Sequence, residues 1–356
     1  MLHMCAFDTV VIGGGQSGLA TAYRLREAGL RPLILEAGPA AVGSWPHYYD
    51  SLRLFSPARY SALPGRVFDG DPDRYPHRDE VTAYLSAYAE ALDVDIRTDS
   101  RVERVTTDGP EFLVHLENGT VLTAPSVVAA TGGFGHPYRP TLPGLESFSG
   151  TVLHASQYRN PQPYAGRRIV VVGAGNSAVQ IAVELADTAT VTLASRAPVT
   201  FLPQRPFGRD LHYWFTVTGF DFAPLGRWVE APTQPVIDDR HYRAAVVAGK
   251  PDRREMFTRI DGSSVIWPDG SREHVDVLLL ATGYRPDLGY LADLGALDSD
   301  GNPRHRAGLS TTHPSLAYVG VEWQRTPASA SLRGVGRDAK HIAARFGQQV
   351  IRGARA

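Results

Sequence analysis

Three glycines, Gly13, Gly15 and Gly18, follow a short β-branched run, and an acid, Glu36, stands 23 positions after the first of them. In this spacing Gly13 lets a strand turn sharply, Gly15 lets backbone approach a pyrophosphate with no Cβ between, and Gly18 lets a helix pack close on a strand. Gln16 and Ser17 then open a helix whose N–H groups face an anion, and Glu36 can accept hydrogen bonds from ribose hydroxyls. The pattern returns 160 positions later as Gly173, Gly175 and Ala178, with Asn176 and Ser177 at the helix start and Arg196 in the place of Glu36. The change of sign matters, because a carboxylate repels a 2′-phosphate whereas a guanidinium pairs with it. The first turn is expected to hold an adenosine without that phosphate, and the second to prefer NADPH to NADH. A hydride donor needs an acceptor, so the first turn is expected to carry FAD. The plainer reading of Arg196 is an exposed arginine that ends a strand.

The elements that must position these residues are also legible. Asp8–Ile12 reads as a strand, Leu19–Ala28 as a helix stopped by Gly29, and Leu33–Leu35 as a second strand. Ile169–Val172 and Val179–Ala186 repeat the first two. Each copy is followed by a hairpin signal and by a strand ending in Ala-Thr-Gly, at Ala130-Thr131-Gly132 and at Ala281-Thr282-Gly283. The fold class expected is α/β, with two Rossmann-like dinucleotide-binding domains and the NADPH domain inserted into the FAD domain. The boundaries predicted are 1–160 and 282–356 for FAD, and 161–281 for NADPH. Asp79 is placed as the cap of a helix that buries Val81, Tyr84, Leu85, Tyr88 and Leu92. Asn118-Gly119 is expected to form a type I′ hairpin turn in a small meander spanning 111–128. From Pro198 to Pro251 the chain has no counterpart in the first copy. Its aromatics, Phe207, Tyr213, Trp214, Phe215, Phe220, Phe222 and Trp228, suit a core, a substrate wall or a contact with a partner.

Composition narrows the function. In 356 residues, 36 Lys plus Arg balance 37 Asp plus Glu, so nothing points to nucleic acid or an anionic membrane. The one cysteine, Cys5, leaves no Cys-x-x-Cys pair and no multi-thiolate metal site. No apolar run reaches the roughly 18 residues of a membrane span, and a cytoplasmic location is expected. His212 and His241 lack ligand spacing, so no metal is expected.

Phe148-Ser-Gly150-Thr-Val-Leu-His154-Ala-Ser-Gln-Tyr158 matches F-x-G-x-x-x-H-x-x-x-Y/F and lies between the two glycine clusters. It resembles the fingerprint of the flavin-containing monooxygenases, and the length suits the small bacterial members. Gly43-Ser44-Trp45, the run Tyr49–Pro57, Ala281–Pro286 and the tail from Val319 to Asp338 are similar to the same family. The resemblance implies flavin contacts at Ala37, Ser44, Trp45, Leu54 and Val102 beside the first glycine turn and the two Ala-Thr-Gly ends. It implies that NADPH reduces FAD and that a flavin C4a-hydroperoxide passes one oxygen atom to a sulfide or amine. It makes His154 architectural rather than a general base. Small-molecule substrate and dioxygen are the partners implied, and pairing into a homodimer is left open.

One departure stands out. Many members carry an asparagine near the flavin where this chain has Phe55, and a phenyl ring cannot donate a hydrogen bond. Either another donor, Gln324 or the bound nicotinamide, takes that role, or peroxide is released. Phe55 and Gln324 are therefore the candidates beside the reacting atoms. Two alternatives stay open at this level: an NADPH oxidase or diaphorase without oxygen insertion, and a redox-sensing flavoprotein.

Overall fold

The computed structural model describes residues 7–225 and 235–353; Cys5 and Trp228 lie outside the described residues. The chain opens with β1 (Thr9–Ile12), α1 (Gln16–Glu27) and β2 (Pro32–Leu35). Every residue of both strands is buried, as parallel strands covered on both faces require. α1 packs on the C-terminal helix Leu332–Gly353. Helix α2 (Arg78–Ala91) buries Val81, Tyr84, Leu85 and Tyr88 as its periodicity predicts, with Leu92 at its end. Its cap, however, is His77 rather than Asp79. A bridge between Arg53 and His77 holds His77 extended, and the His77 N–H donates to Glu80 at 2.9 Å, which leaves Asp79 in the first turn.

After the edge strand β3 (Asp95–Arg97) comes an antiparallel meander of β4 (Val102–Asp108), β5 (Glu111–Leu116) and β6 (Val121–Ala124). Its second turn corrects the type I′ expectation. Gly119 alone takes positive φ, at 84°, and its N–H donates to the Leu116 carbonyl. This is an ordinary turn closed by a left-handed glycine. The Asn118 side chain instead accepts from the Thr120 N–H.

β7 (Val127–Ala129) then enters the first sheet, whose parallel order is Leu316–Tyr318, β7, β1, β2, β3. Between β7 and Leu316 the chain builds a second, wholly parallel sheet. It uses β8 (Thr151–His154), β9 (Arg168–Val172), then α3 (Asn176–Leu185) as the crossover, and β10 (Thr190–Ser195). The order is Asp252–Glu255, β10, β9, Val277–Leu280, β8. β8 thus belongs to the second sheet although it precedes the predicted boundary at 160/161. A three-stranded antiparallel sheet spanning 259–274 accompanies this unit, as the meander accompanies the first.

The two links between the sheets run together. Tyr138 N–H donates to Gly283, Arg285 N–H to His136 and Asp287 N–H to Gly132, at 2.9, 2.9 and 2.8 Å. No helix among the described residues is long and apolar enough to cross a membrane.

Candidate functional site

Each glycine turn faces an Ala-Thr-Gly strand end. Gly13 has φ +105°, and a Cβ there would meet the Ala130 carbonyl oxygen at 2.7 Å. Gly173, with φ +149°, meets the Ala281 carbonyl in the same way. Only glycine satisfies both the dihedral and the approach. A Cβ on Gly18 would overlap the Gly13 carbonyl oxygen, so helix and strand are in contact there. Gly15 approaches Gly43 backbone to backbone, which explains the glycine before Ser44-Trp45 that spacing alone did not.

Both helices start without a side-chain cap and without an acid in the first turn. Their first N–H groups are the orphan donors that a phosphate satisfies. At the end of β2 the Glu36 carboxylate accepts from the Gly14 N–H at 2.6 Å and the Gly38 N–H at 2.7 Å, with Ala37 inside the same turn. Arg196 follows β10 directly, exposed, with no hydrogen bond or ion pair among the described residues. The residues present therefore fit two dinucleotides, the first beside a carboxylate and the second beside an unpaired guanidinium.

The other candidates fall into three neighbourhoods. Gln16 accepts from the Trp45 indole N–H at 3.2 Å and donates to the Ala330 carbonyl at 2.8 Å, joining the first turn to the start of the C-terminal helix. Ser17 is buried against Gly320, the Ser44 carbonyl accepts from the His47 N–H at 2.9 Å, and Leu54 packs on the core between α1 and α2. Val102, half-buried at the start of β4, packs on the cluster that holds Ile12 and Leu35, two residues after Ser100, whose N–H donates to the Glu36 carbonyl at 2.8 Å. Thr131 and Thr282 both spend their hydroxyls on the links, donating to Asp287 at 2.6 Å and Tyr138 at 2.5 Å. Gly132 and Gly283 supply carbonyls to the same links. In the second turn Asn176 accepts from the Ile237 N–H at 3.2 Å, and one turn of α3 beyond Ser177 the Gln180 amide oxygen accepts from the Tyr49 hydroxyl at 2.5 Å. Among the described residues nothing lies within 4 Å of a Cβ placed on Gly175.

The F-x-G-x-x-x-H-x-x-x-Y segment is architecture. His154 is fully buried; its Nδ1 accepts from the Ser156 N–H and its Nε2 lies 3.1 Å from the Gly283 carbonyl. Both nitrogens are used, which makes the ring neutral with the proton on Nε2, and burial pushes its pKa below the ordinary imidazole value. Tyr158 is likewise buried and donates to Glu184 at 2.8 Å. The motif ties β8 to the second Ala-Thr-Gly end and to α3.

Phe55 and Gln324 are not brought together. Gln324 is buried, accepts from the Val321 N–H at 3.4 Å, and its amide nitrogen, lodged against Gly308, has no partner among the described residues. Phe55 lies instead against the aromatic insertion, with its ring stacked on His212 at 6.1 Å and its carbonyl accepting from Gln204 at 3.0 Å. None of the described phenylalanine, tyrosine or tryptophan residues of the insertion is buried: Phe207 is 93% exposed, and they pair mostly with one another.

Comparison with known proteins gives a consistent picture. A family model described as pyridine nucleotide-disulphide oxidoreductase matches residues 10–212. An uncharacterized CzcO-like oxidoreductase of Geobacillus kaustophilus is 33% identical over 341 residues, which is 94% of this chain and 97% of that protein. The indole-3-pyruvate monooxygenase YUCCA1 of Oryza sativa subsp. japonica is 32% identical over 81% of this chain and 79% of its own. The structure of a flavin-containing monooxygenase from Stenotrophomonas maltophilia superposes with a TM-score of 0.86 at 32% identity, covering 98% of this chain and 100% of that one. A bacillithiol disulfide reductase from Bacillus cereus, at 22% identity and a TM-score of 0.74, shares the fold.

Proposed function

Since the chain belongs to the pyridine nucleotide-disulphide oxidoreductase family, among its flavin-containing monooxygenases, we propose that it transfers one oxygen atom to a soft nucleophile, a sulfide or an amine. It is an FAD-dependent, NADPH-using monooxygenase. Its substrate class, the placing of each cofactor and the nested pair of Rossmann-like domains are our reading. The observation that carries this reading is the doubled turn with opposite charge at its two ends, Glu36 beside the first and Arg196 beyond the second.

The bound flavin supplies oxygen activation and the nicotinamide supplies the electrons. The chain's own task is placement. The uncapped start of α1 takes the FAD pyrophosphate, Glu36 takes the ribose hydroxyls, and Gln16 fixes Trp45 beside them. The start of α3 takes the NADPH pyrophosphate, with Arg196 on the 2′-phosphate. Phe55, held against the insertion by His212 and Gln204, would border the bound flavin and exclude water there. Few side chains need move a proton. The single cysteine leaves no pair for the disulphide chemistry in the family's name.

The test is to purify the protein, record its absorbance and follow NADPH oxidation in air with methyl phenyl sulfide, a tertiary amine and indole-3-pyruvate. The reading expects a yellow protein that forms the sulfoxide or amine oxide. Lack of bound flavin after reconstitution overturns the FAD assignment. Peroxide equal to the NADPH consumed with every substrate favours an oxidase, and turnover of indole-3-pyruvate alone moves the substrate class to 2-oxo acids.

A further inference from the structure

Asp210 opens the short helix Leu211–Val217 and is the hub of four hydrogen bonds. Its carboxylate accepts from the His212 backbone N–H at 2.8 Å, the His212 Nδ1 at 2.8 Å, the Gln204 amide at 2.7 Å and the Tyr75 hydroxyl at 2.5 Å. Burial by itself would raise this carboxyl, but the His212, Tyr75 and Gln204 hydrogen bonds outweigh it and hold the group below its ordinary value. An ionised carboxylate only accepts, so His212 Nδ1 carries a proton.

The His212 ring is fully buried. It stacks on Phe55 at 6.1 Å and 21°, lies against Tyr60 at 6.4 Å and 29°, and meets Phe215 edge-on at 5.8 Å. Its Nε2 has no partner among the described residues. Gln204, bound to the same carboxylate, also donates to the Phe55 carbonyl, across 149 residues of chain. Ring and carbonyl of Phe55 are therefore both held by groups that answer to Asp210. A second buried carboxylate of the insertion, Asp221, pairs bidentately with Arg333 of the C-terminal helix at 2.8 and 3.1 Å. The insertion is thus anchored at Asp210 and at Asp221, on either side of Tyr213, Trp214, Phe215 and Phe220.

From this geometry we propose that Asp210 and His212 are positioning residues for Phe55, and that through Phe55 they set how fast electrons from NADPH leak to hydrogen peroxide. In the leak, dioxygen takes two electrons from NADPH and two protons, one of them from solvent, and leaves as hydrogen peroxide. In productive turnover one oxygen atom goes to substrate and the other leaves as water. A phenyl ring offers no hydrogen bond, so its contribution is to exclude water, and that depends on where the ring is held.

The inference rests on the placement of Phe55 at the flavin given above, and the experiment separates the two. Holoenzyme is assayed in air with NADPH and no oxidisable substrate, reading peroxide release, and without oxygen, reading flavin bleaching by NADPH. D210N and H212L are expected to raise the leak about tenfold while anaerobic bleaching stays within about twofold, the scale on which small misplacements act. H212F keeps a ring of similar volume against Phe55, which guards against failure to fold, and is expected to leak at an intermediate rate. F55L and the double variant F55L/H212L are expected to leak alike, because the path runs through Phe55. Wild-type leakage in D210N and H212F, or additive effects in the double variant, overturns the proposal. A wild-type leak in F55L itself instead overturns the placement of Phe55.

Discussion

Arg196 and His154 show how differently two family-like positions behave at the scale of single residues. Arg196 is exposed and unpaired among the described residues, so its guanidinium is available to a ligand and contributes nothing evident to the fold. Replacing it by glutamine removes a charge-assisted pair with the 2′-phosphate, worth about 1.5–3 kcal/mol, or roughly 10–100-fold. R196Q is therefore expected to reduce the kcat/KM ratio of NADPH over NADH by at least about tenfold, with the NADH value little changed. A ratio equal to wild type shows that Arg196 does not read the phosphate. His154 is the reverse case, with both nitrogens engaged to backbone inside the protein. H154A takes the acceptor from the Ser156 N–H, at about 1–3 kcal/mol, and one of two donors from the Gly283 carbonyl, which keeps the Tyr138 N–H. The expected result is a lower urea midpoint with flavin reduction per bound FAD unchanged. Lost reduction at undiminished stability means that the ring acts in the chemistry.

Among the elements, the two glycine turns are near copies that differ in how much room they leave. A Cβ on Gly18 strikes the Gly13 carbonyl, whereas one on Gly175 meets nothing within 4 Å among the described residues, and Gly175 has an extended conformation that alanine accepts. G18A is therefore expected to yield little soluble protein. G175A should fold with full FAD content and a KM for NADPH raised about tenfold, because a methyl group enters the space through which a pyrophosphate approaches. An unchanged KM places the NADPH phosphates elsewhere. The turns were legible in the sequence because each is local: strand, glycines, helix and a signed residue lie within 29 positions. The α2 face was legible for the same reason, since periodicity carries it. The α2 cap was not, because the extended state of His77 is imposed by Arg53 from outside the helix. The assignment of β8 to the second sheet, and the contacts of Phe55 with Gln204 and His212, depend on pairings across about 120 residues or more. No spacing rule reaches that far.

For the molecule as a whole, pH is the variable that reads the packing of both units together. Burial pushes His154, His305 and His341 below the ordinary imidazole value, so the folded protein keeps them neutral where the unfolded chain would protonate them. Their stabilisation is complete above the unfolded value of about 6.5 and is lost as pH falls from there towards their folded values. Each can contribute a slope of at most about 1.4 kcal/mol per pH unit. The carboxylates act lower. Asp8, paired with Arg31, and Asp210, in its four-donor hub, both have lowered values, and their stabilisation is lost only as pH drops below about 3.9. Asp338 and Glu322, raised by burial, work in the opposite sense, since the folded state holds their protons more tightly. Urea midpoints of the holoenzyme are thus expected to be flat from pH 8 to 7 and to fall from about 6.5 to 5, before the carboxylate range begins. H154A should start lower at pH 8 and decline less steeply across that window, because one of the three neutral rings is gone. A midpoint independent of pH between 7 and 5, or an H154A slope equal to wild type, means that the buried imidazoles take up protons in the folded state as readily as in the unfolded chain.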